Sequence, residues 1–189
     1  MTDKEILEIF EKTGAILEGH FLLSSGLHSD RYFQMARVLQ FPHIARNLAQ
    51  ELIRKWGERK VDVVIGPAIG GIVLSYALAE IIGARSIFAE RENGVMCLRR
   101  GFTIDKDESV FVCEDVITTG GSVSEIIDLV RSSGAKLVGV CCLVLRGTHS
   151  LKFPVEYLLR IDVKNYRQDE CPLCKNNIPI GKPGSRFLK

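Results

Sequence analysis

The stretch from Val110 to Ser122, VFVCEDVITTGGS, constrains this chain more than any other. It begins as a short apolar run, Val110 to Cys113, whose β-branched and aromatic side chains read as a buried strand. Glu114 and Asp115 follow where such a strand would end. Thr118, Thr119, Gly120, Gly121 and Ser122 then form a small, hydroxyl-rich loop. After it Val123, Ile126, Ile127 and Val130 recur at helical spacing, and Gly134 supplies a stop. The order is strand, acid pair, loop, helix.

Each part has a physical use. Glycines turn tightly and let the backbone approach an anion. The first amides of a helix lack intrahelical partners and, with the helix dipole, favour a phosphate. The hydroxyls of Thr118, Thr119 and Ser122 add donors. Carboxylates would repel a phosphate, so Glu114 and Asp115 suit a neutral, hydroxyl-bearing part of the same ligand, a sugar. The loop has neither the GxxxxGK(S/T) pattern nor GxGxxG, so a phosphorylated ribose fits it better than a nucleoside triphosphate. The plain alternative is a strand-to-helix turn with ordinary capping.

The rest of the chain supplies a setting for this unit. Thr2 to Glu5 has capping-box spacing ahead of a helix that ends near Gly14. GHFLLSSGLHSDRYFQ reads as two short strands around Ser25 and Gly26, and Pro42 opens a helix carrying Ile44, Leu48, Leu52 and Trp56 on one stripe. From Val61 the pattern is α/β. It runs through a strand to Ile65, the loop GPAIGG, a helix Ile72 to Ile82 apolar nearly all round, a strand Arg85 to Ala89 and a short arm Val95 to Leu98. Beyond the central unit come strands over Lys136 to Leu145 and Val155 to Ile161. The expectation is an α/β fold: a central parallel sheet flanked by helices on both faces, with ligands beyond the carboxyl ends of the strands. A length of 189 residues suits one domain. It divides into an N-terminal helix and hood over 1–40, an α/β core over 60–163 and a tail over 164–189.

Composition narrows the setting. Apolar residues make up 46%, with no apolar run long enough to span a membrane. The N-terminus is charged and helix-like rather than a signal peptide. A net charge of +2 gives no reason to expect nucleic acid. Cys97, Cys113, Cys141 and Cys142 lie in or near strand-like runs and read as small core residues in a reducing, cytoplasmic compartment.

EDVITTGGS resembles the phosphoribosyl-pyrophosphate motif of the type I phosphoribosyltransferases. The resemblance implies that Glu114 and Asp115 hold the ribose hydroxyls, and that Val116, Ile117, Thr118, Thr119, Gly120, Gly121 and Ser122 hold the 5-phosphate. GPAIGG resembles the family's pyrophosphate loop, which places Ala68, Ile69 and Gly70 on the donor, with an unusual cis bond at Ala68–Ile69. Read alone, this loop is equally a simple turn. Many orotate enzymes carry a lysine in this loop, and Gly70 stands in that region.

GHFLLSSGLHSDRYFQ is similar to the hood of orotate phosphoribosyltransferases, with Tyr32 and Phe33 at the base and Ser24 in place of a lysine. Arg146, at a strand end, matches the arginine that clamps the orotate carboxylate, and Thr118 joins it on the orotate side. A planar guanidinium suits a bidentate clamp, although a surface arginine leaving the sheet is the alternative. RENGVMCLRRGF resembles the family's mobile cross-subunit arm, with Arg91 as its first arginine and Arg99 and Arg100 as further candidates.

The activity implied is transfer of phosphoribosyl from phosphoribosyl pyrophosphate to orotate. Asp115, Glu114 and Arg91 would be the catalytic residues, with Mg2+ bound mainly through the pyrophosphate. A homodimer with shared sites, and neither nucleic acid nor membrane, completes that picture. Two rivals stay open: an enzyme for another base, and a non-enzymatic sensor of the donor.

Cys171 and Cys174 form a CxxC pair. A closed zinc site needs four ligands, and His20, His28, His43 and His149 show no metal spacing, so no metal ligands are assigned. A structural role ranks above a redox pair or a half-site completed by another subunit.

Overall fold

The computed structural model describes residues 1–23, 25–57, 59–147 and 149–183, so Ser24 lies outside the described residues. Thr2 caps α1 (Asp3–Lys12) in a reciprocal capping box with Glu5, and Ile6 and Phe10 bury its inner face. A hairpin follows, β1 (Ile16–Leu22) and β2 (His28–Phe33), then a short α2 (Ala36–Leu39) and α3 (Pro42–Trp56). The core comprises β3 (Val63–Pro67), α4 (Gly70–Ile82), β4 (Arg85–Glu92), β5 (Val95–Leu98), β6 (Ser109–Ile117), α5 (Gly121–Ser132), β7 (Lys136–Arg146) and β8 (Glu156–Ile161). The chain finishes with β9 (Asn165–Tyr166) and α6 (Pro172–Lys175).

Six strands form the main sheet in the order β5-β4-β3-β6-β7-β8. All neighbouring pairs are parallel except β4 with β5, which are antiparallel. The parallel sheet read from the sequence therefore carries one antiparallel edge strand, the return arm of a hairpin. Alternate strand residues feed two cores, as a period of two requires. Val64, Phe111, Cys113, Cys141 and Leu143 pack with α1, α3 and α4, where Trp56 stacks on Phe111 with centroids 4.3 Å apart. Val63, Ile65, Val110, Val112, Val140 and Cys142 pack with α5 on the other face.

This topology places the site. From β3 the chain crosses through α4 to β4 on one side, and from β6 it crosses through α5 to β7 on the other. The order reverses between β3 and β6, and ligands of open α/β sheets bind at such a switch point. Both glycine loops lie there.

Three local expectations need correction. The β6 strand does not end before the acids: it runs to Ile117, because Glu114, Val116 and Ile117 continue to pair with Cys142, Val144 and Leu145 of β7. Its pairing with β3 stops at Val112, so the acids lie where β6 has lost one neighbour. The apolar helix α4 is not buried all round, since Val73 is 44% and Tyr76 70% exposed. Cys97 is only half-buried, while Cys113, Cys141 and Cys142 sit in the core.

A second, three-stranded sheet has the order β1-β2-β9, so the hood hairpin is completed by the tail. Gly181 also bridges Phe21, donating to the His20 carbonyl at 2.7 Å and accepting from Leu22 at 2.9 Å.

Candidate functional site

A cleft of about 640 Å³ opens beyond the carboxyl ends of β3, β6 and β7, beneath the hood. That volume suits a small-molecule site. Its charged lining is two arginines and two carboxylates: Arg91, Arg146, Glu114 and Asp115.

The loop after β3 brings Ala68, Ile69 and Gly70 to the cleft, and the Ala68–Ile69 peptide is cis, as the resemblance implied. Gly70 begins α4 directly under Asp115. A Cβ there would fall 2.5 Å from the Asp115 carboxylate, so the acid occupies the space a side chain would need. That accounts for glycine at this position. One Asp115 oxygen accepts from the Val116 amide at 2.8 Å. Burial pushes the Asp115 carboxyl above its ordinary range, and backbone hydrogen bonds pull it partly back.

From the end of β6 to the start of α5, Val116, Thr118 and Ser122 line the cleft. Ile117 is fully buried among the residues packed with α5, so its side chain serves the core. The Thr119 carbonyl accepts from both the amide and the hydroxyl of Ser150, each at 3.1 Å, which anchors the loop from behind. Gly120 takes φ +85, and a Cβ there would come within 2.6 Å of Leu151. Only glycine meets both conditions cheaply. Gly121 starts α5 in an exposed position. Neither α4 nor α5 has an acidic residue in its own first turn, so the start of α5 is left positive, while Asp115 faces the start of α4.

Arg91 lines the cleft from β4 and is fixed by bonds from its two terminal nitrogens, to the Gly94 carbonyl at 2.6 Å and the Glu125 carboxylate at 2.7 Å. Arg99 and Arg100 are engaged elsewhere: Arg99 pairs with Glu92 at 3.2 Å and Arg100 with Glu90 at 3.0 Å, and neither lines the cleft.

The two aromatic residues of the hood differ. Tyr32 is half-buried, and burial raises its hydroxyl pKa, helped by the Asp115 charge and opposed by Arg146. Phe33 also touches the cleft but is 5% exposed and packed into the core with α1 and α3. Neighbouring strand residues face opposite ways, and of the two Tyr32 is the less buried.

Arg146 ends β7 and is 2% exposed. Its Nη2 donates to the Ser29 hydroxyl and to the Asn165 side chain at 3.0 Å, linking the sheet to β2 and β9. Its Nε finds no partner among the described residues. Burial lowers the guanidinium pKa, while Asp30 and Tyr32 oppose the shift. The surface-arginine alternative does not hold.

Sequence reasoning missed Leu22, Leu23, Gln34, Met96 and Pro183, which also line the cleft. Only Gln34, next to Phe33, carried a signal. The spacing of the histidines also did not show which of them come together. His20 and His28 lie against Cys171 and Cys174, the four ligand atoms within 4.8 Å of one another, because the tail folds back onto the hood.

The phosphoribosyl transferase domain model matches residues 34–170. An orotate phosphoribosyltransferase of Caldanaerobacter subterraneus subsp. tengcongensis is 53% identical over 190 residues, spanning 100% of both chains. Among solved structures, the orotate phosphoribosyltransferase from Aeropyrum pernix aligns with a TM-score of 0.70 and 27% identity, covering 82% of this chain and 93% of that one. An adenine phosphoribosyltransferase from Thermoanaerobacter pseudethanolicus aligns at 0.67 with 16% identity, over 82% of this chain and 99% of that one. That likeness is one of fold alone.

Proposed function

The chain belongs to the phosphoribosyltransferase family, and from that premise we infer that it transfers the 5-phosphoribosyl group to orotate. The products are orotidine 5′-monophosphate and pyrophosphate, in pyrimidine biosynthesis. Full-length likeness to orotate enzymes supports the reaction, and Arg146 carries the choice of base. A buried cation with an unpaired Nε in the cleft wall requires an acceptor. Orotate differs from uracil by one carboxylate, an anionic acceptor able to meet it.

The two glycine loops receive the donor in this reading: Ala68, Ile69 and Gly70 toward the pyrophosphate, Thr118 to Ser122 toward the 5-phosphate. Glu114 and Asp115 accept from the ribose hydroxyls and face the positive charge that develops at the anomeric carbon. Arg91, held by Glu125, sits at the anionic side of the cleft. Catalysis comes from positioning and electrostatics, without a protein nucleophile. Magnesium fits the donor set, since it binds through one or two carboxylates, waters and substrate phosphates. Glu114 and Asp115 are the carboxylates lining the cleft, and the ion would neutralise the departing pyrophosphate.

A substrate panel tests the activity. With phosphoribosyl pyrophosphate and magnesium, pyrophosphate release should require orotate and be at least about tenfold less efficient with uracil or adenine. Turnover with adenine but not orotate would reassign the base. Donor binding without turnover on any base would favour a sensor.

We also place the protein in the cytoplasm as a homodimer. Its cysteines are unpaired, as a reducing compartment demands. Among the described residues no helix is long and apolar enough to cross a membrane. On α4 and the loop before it, Ile69, Val73 and Tyr76 are exposed on one stripe. Burying such a side chain is worth roughly 1.5–3 kcal/mol, which a partner copy would supply. Ile69 and Val73 also line the cleft, so an interface there adjoins the site. Arg91 also lines the cleft, so the arm that carries it adjoins the same interface in this reading. Sedimentation should find a dimer, and Tyr76→Glu should convert it to monomer. A variant that remains fully dimeric would move the interface off α4.

A further inference from the structure

The hood and the tail meet at a cluster that the transfer reaction does not use. His20 ends its ring on the Nδ1 of His28, Nε2 to Nδ1 at 2.9 Å. Cys174 Sγ lies 3.3 Å from His28 Nδ1 and 3.7 Å from His20 Nε2, and Cys171 Sγ lies 3.6 Å from that same Nε2. His20, His28 and Cys171 are at most 4% exposed. Polar groups this deeply buried and this close demand a shared partner or a network that satisfies them all.

We infer that His20, His28, Cys171 and Cys174 form a closed zinc site that fastens the hood hairpin to the C-terminal tail. A tetrahedral zinc with about 2.3 Å to sulphur and about 2.0–2.1 Å to nitrogen spaces its ligand atoms roughly 3.3–3.8 Å apart. The three sulphur–nitrogen separations, 3.3, 3.6 and 3.7 Å, fall in that range, the nitrogen–nitrogen separation of 2.9 Å is somewhat shorter, and all four ligand atoms lie within 4.8 Å of one another. The tautomer is also set. His20 Nδ1 lies 2.7 Å from the Ile178 carbonyl. A carbonyl only accepts, so Nδ1 holds the proton and Nε2 turns its lone pair inward. A metal-bound histidine is oriented by a carbonyl in this way. Two thiolates with two imidazoles select zinc over the hard cations. Four protein ligands leave no open position, which makes the site structural rather than catalytic. Its position ties it to the cleft, because Leu22, between the two histidines, and Pro183, beyond the CxxC, both line that cavity.

Metal analysis of the purified, dialysed protein should find about one zinc per chain. Cys174→Ser and His28→Gln should each weaken zinc binding by more than about a hundredfold and leave the protein substantially zinc-free, whereas Cys97→Ser should keep its metal. Cobalt added to the metal-free protein should give the absorption of a tetrahedral thiolate site, absent in Cys174→Ser. If the variants fail to fold, titrating the wild-type thiols while following zinc release reads the same coupling. The idea is overturned if the wild type neither carries zinc nor binds added zinc or cobalt. Full zinc retention in Cys174→Ser, or recovery of Cys171 and Cys174 as a disulfide, would overturn it equally.

Discussion

Asp115→Asn should lower turnover by about a hundredfold or more, the usual scale for removing one preorganised electrostatic group, without loss of stability. The carboxylate sits over Gly70 at the switch point, fixed by the Val116 amide. Asparagine keeps its size but loses the charge and offers donors where ribose hydroxyls need acceptors. Stability moves the other way. Burial raises the Asp115 pKa. Such a group contributes stability that is full below its unfolded pKa and is lost as pH rises through its folded pKa. At neutral pH the ionised side chain is therefore a cost to the fold, which asparagine does not carry. The variant should melt at or above the wild-type temperature at neutral pH, with the gap narrowing in acid. Near-wild-type turnover in a folded Asp115→Asn protein would remove Asp115 from the mechanism.

Arg146→Ala should fail selectively on orotate. Losing a hydrogen bond to a charged group costs about 1.5–3 kcal/mol, or roughly one to two decades in catalytic efficiency. Arg146→Lys should rescue only partly, since an ammonium lacks the planar fork. Donor affinity should hold, because the donor loops are separate. Arg146 also grips Ser29 and Asn165, so its loss loosens the hood as well. Asn165→Ala supplies the control. It weakens the same link while leaving the guanidinium, so it should lower uracil and orotate efficiency alike, whereas Arg146→Ala should depress orotate more than uracil. Equal losses on both bases in Arg146→Ala would mean that the arginine only supports the hood.

What the sequence disclosed was local. The apolar run at Val110, the glycines after it and the helical spacing of Val123 to Val130 all lie within one βα unit, and the structure has that unit. The length of β6 was not legible, because its continuation through Glu114 and Asp115 depends on pairing with β7. A nearly all-apolar α4 could not announce that one face stays open, since periodicity carries little information when almost every position is apolar. Phe33 was read beside Tyr32 from adjacency, yet strand alternation separates them. Arg146 was legible as a strand-end arginine, but its burial follows from Ser29 and Asn165, on elements at the two ends of the chain. The cluster of His20, His28, Cys171 and Cys174 was hidden for the same reason, since His20 and Cys171 stand 151 positions apart.

The closure of the hood by the tail also sets an order of manufacture. Chain growth on the ribosome completes β3, α4, β6 and α5, and with them the donor loops, by residue 132. The hood is different: β1 and β2 are made before these elements, but their third strand arrives at Asn165 and the Gly181 bridge later still. The hairpin must wait for more than 130 further residues before its third strand emerges. Contacts across such separations are the slow ones to form. The nascent protein thus completes the two glycine loops before the sheet that roofs the cleft.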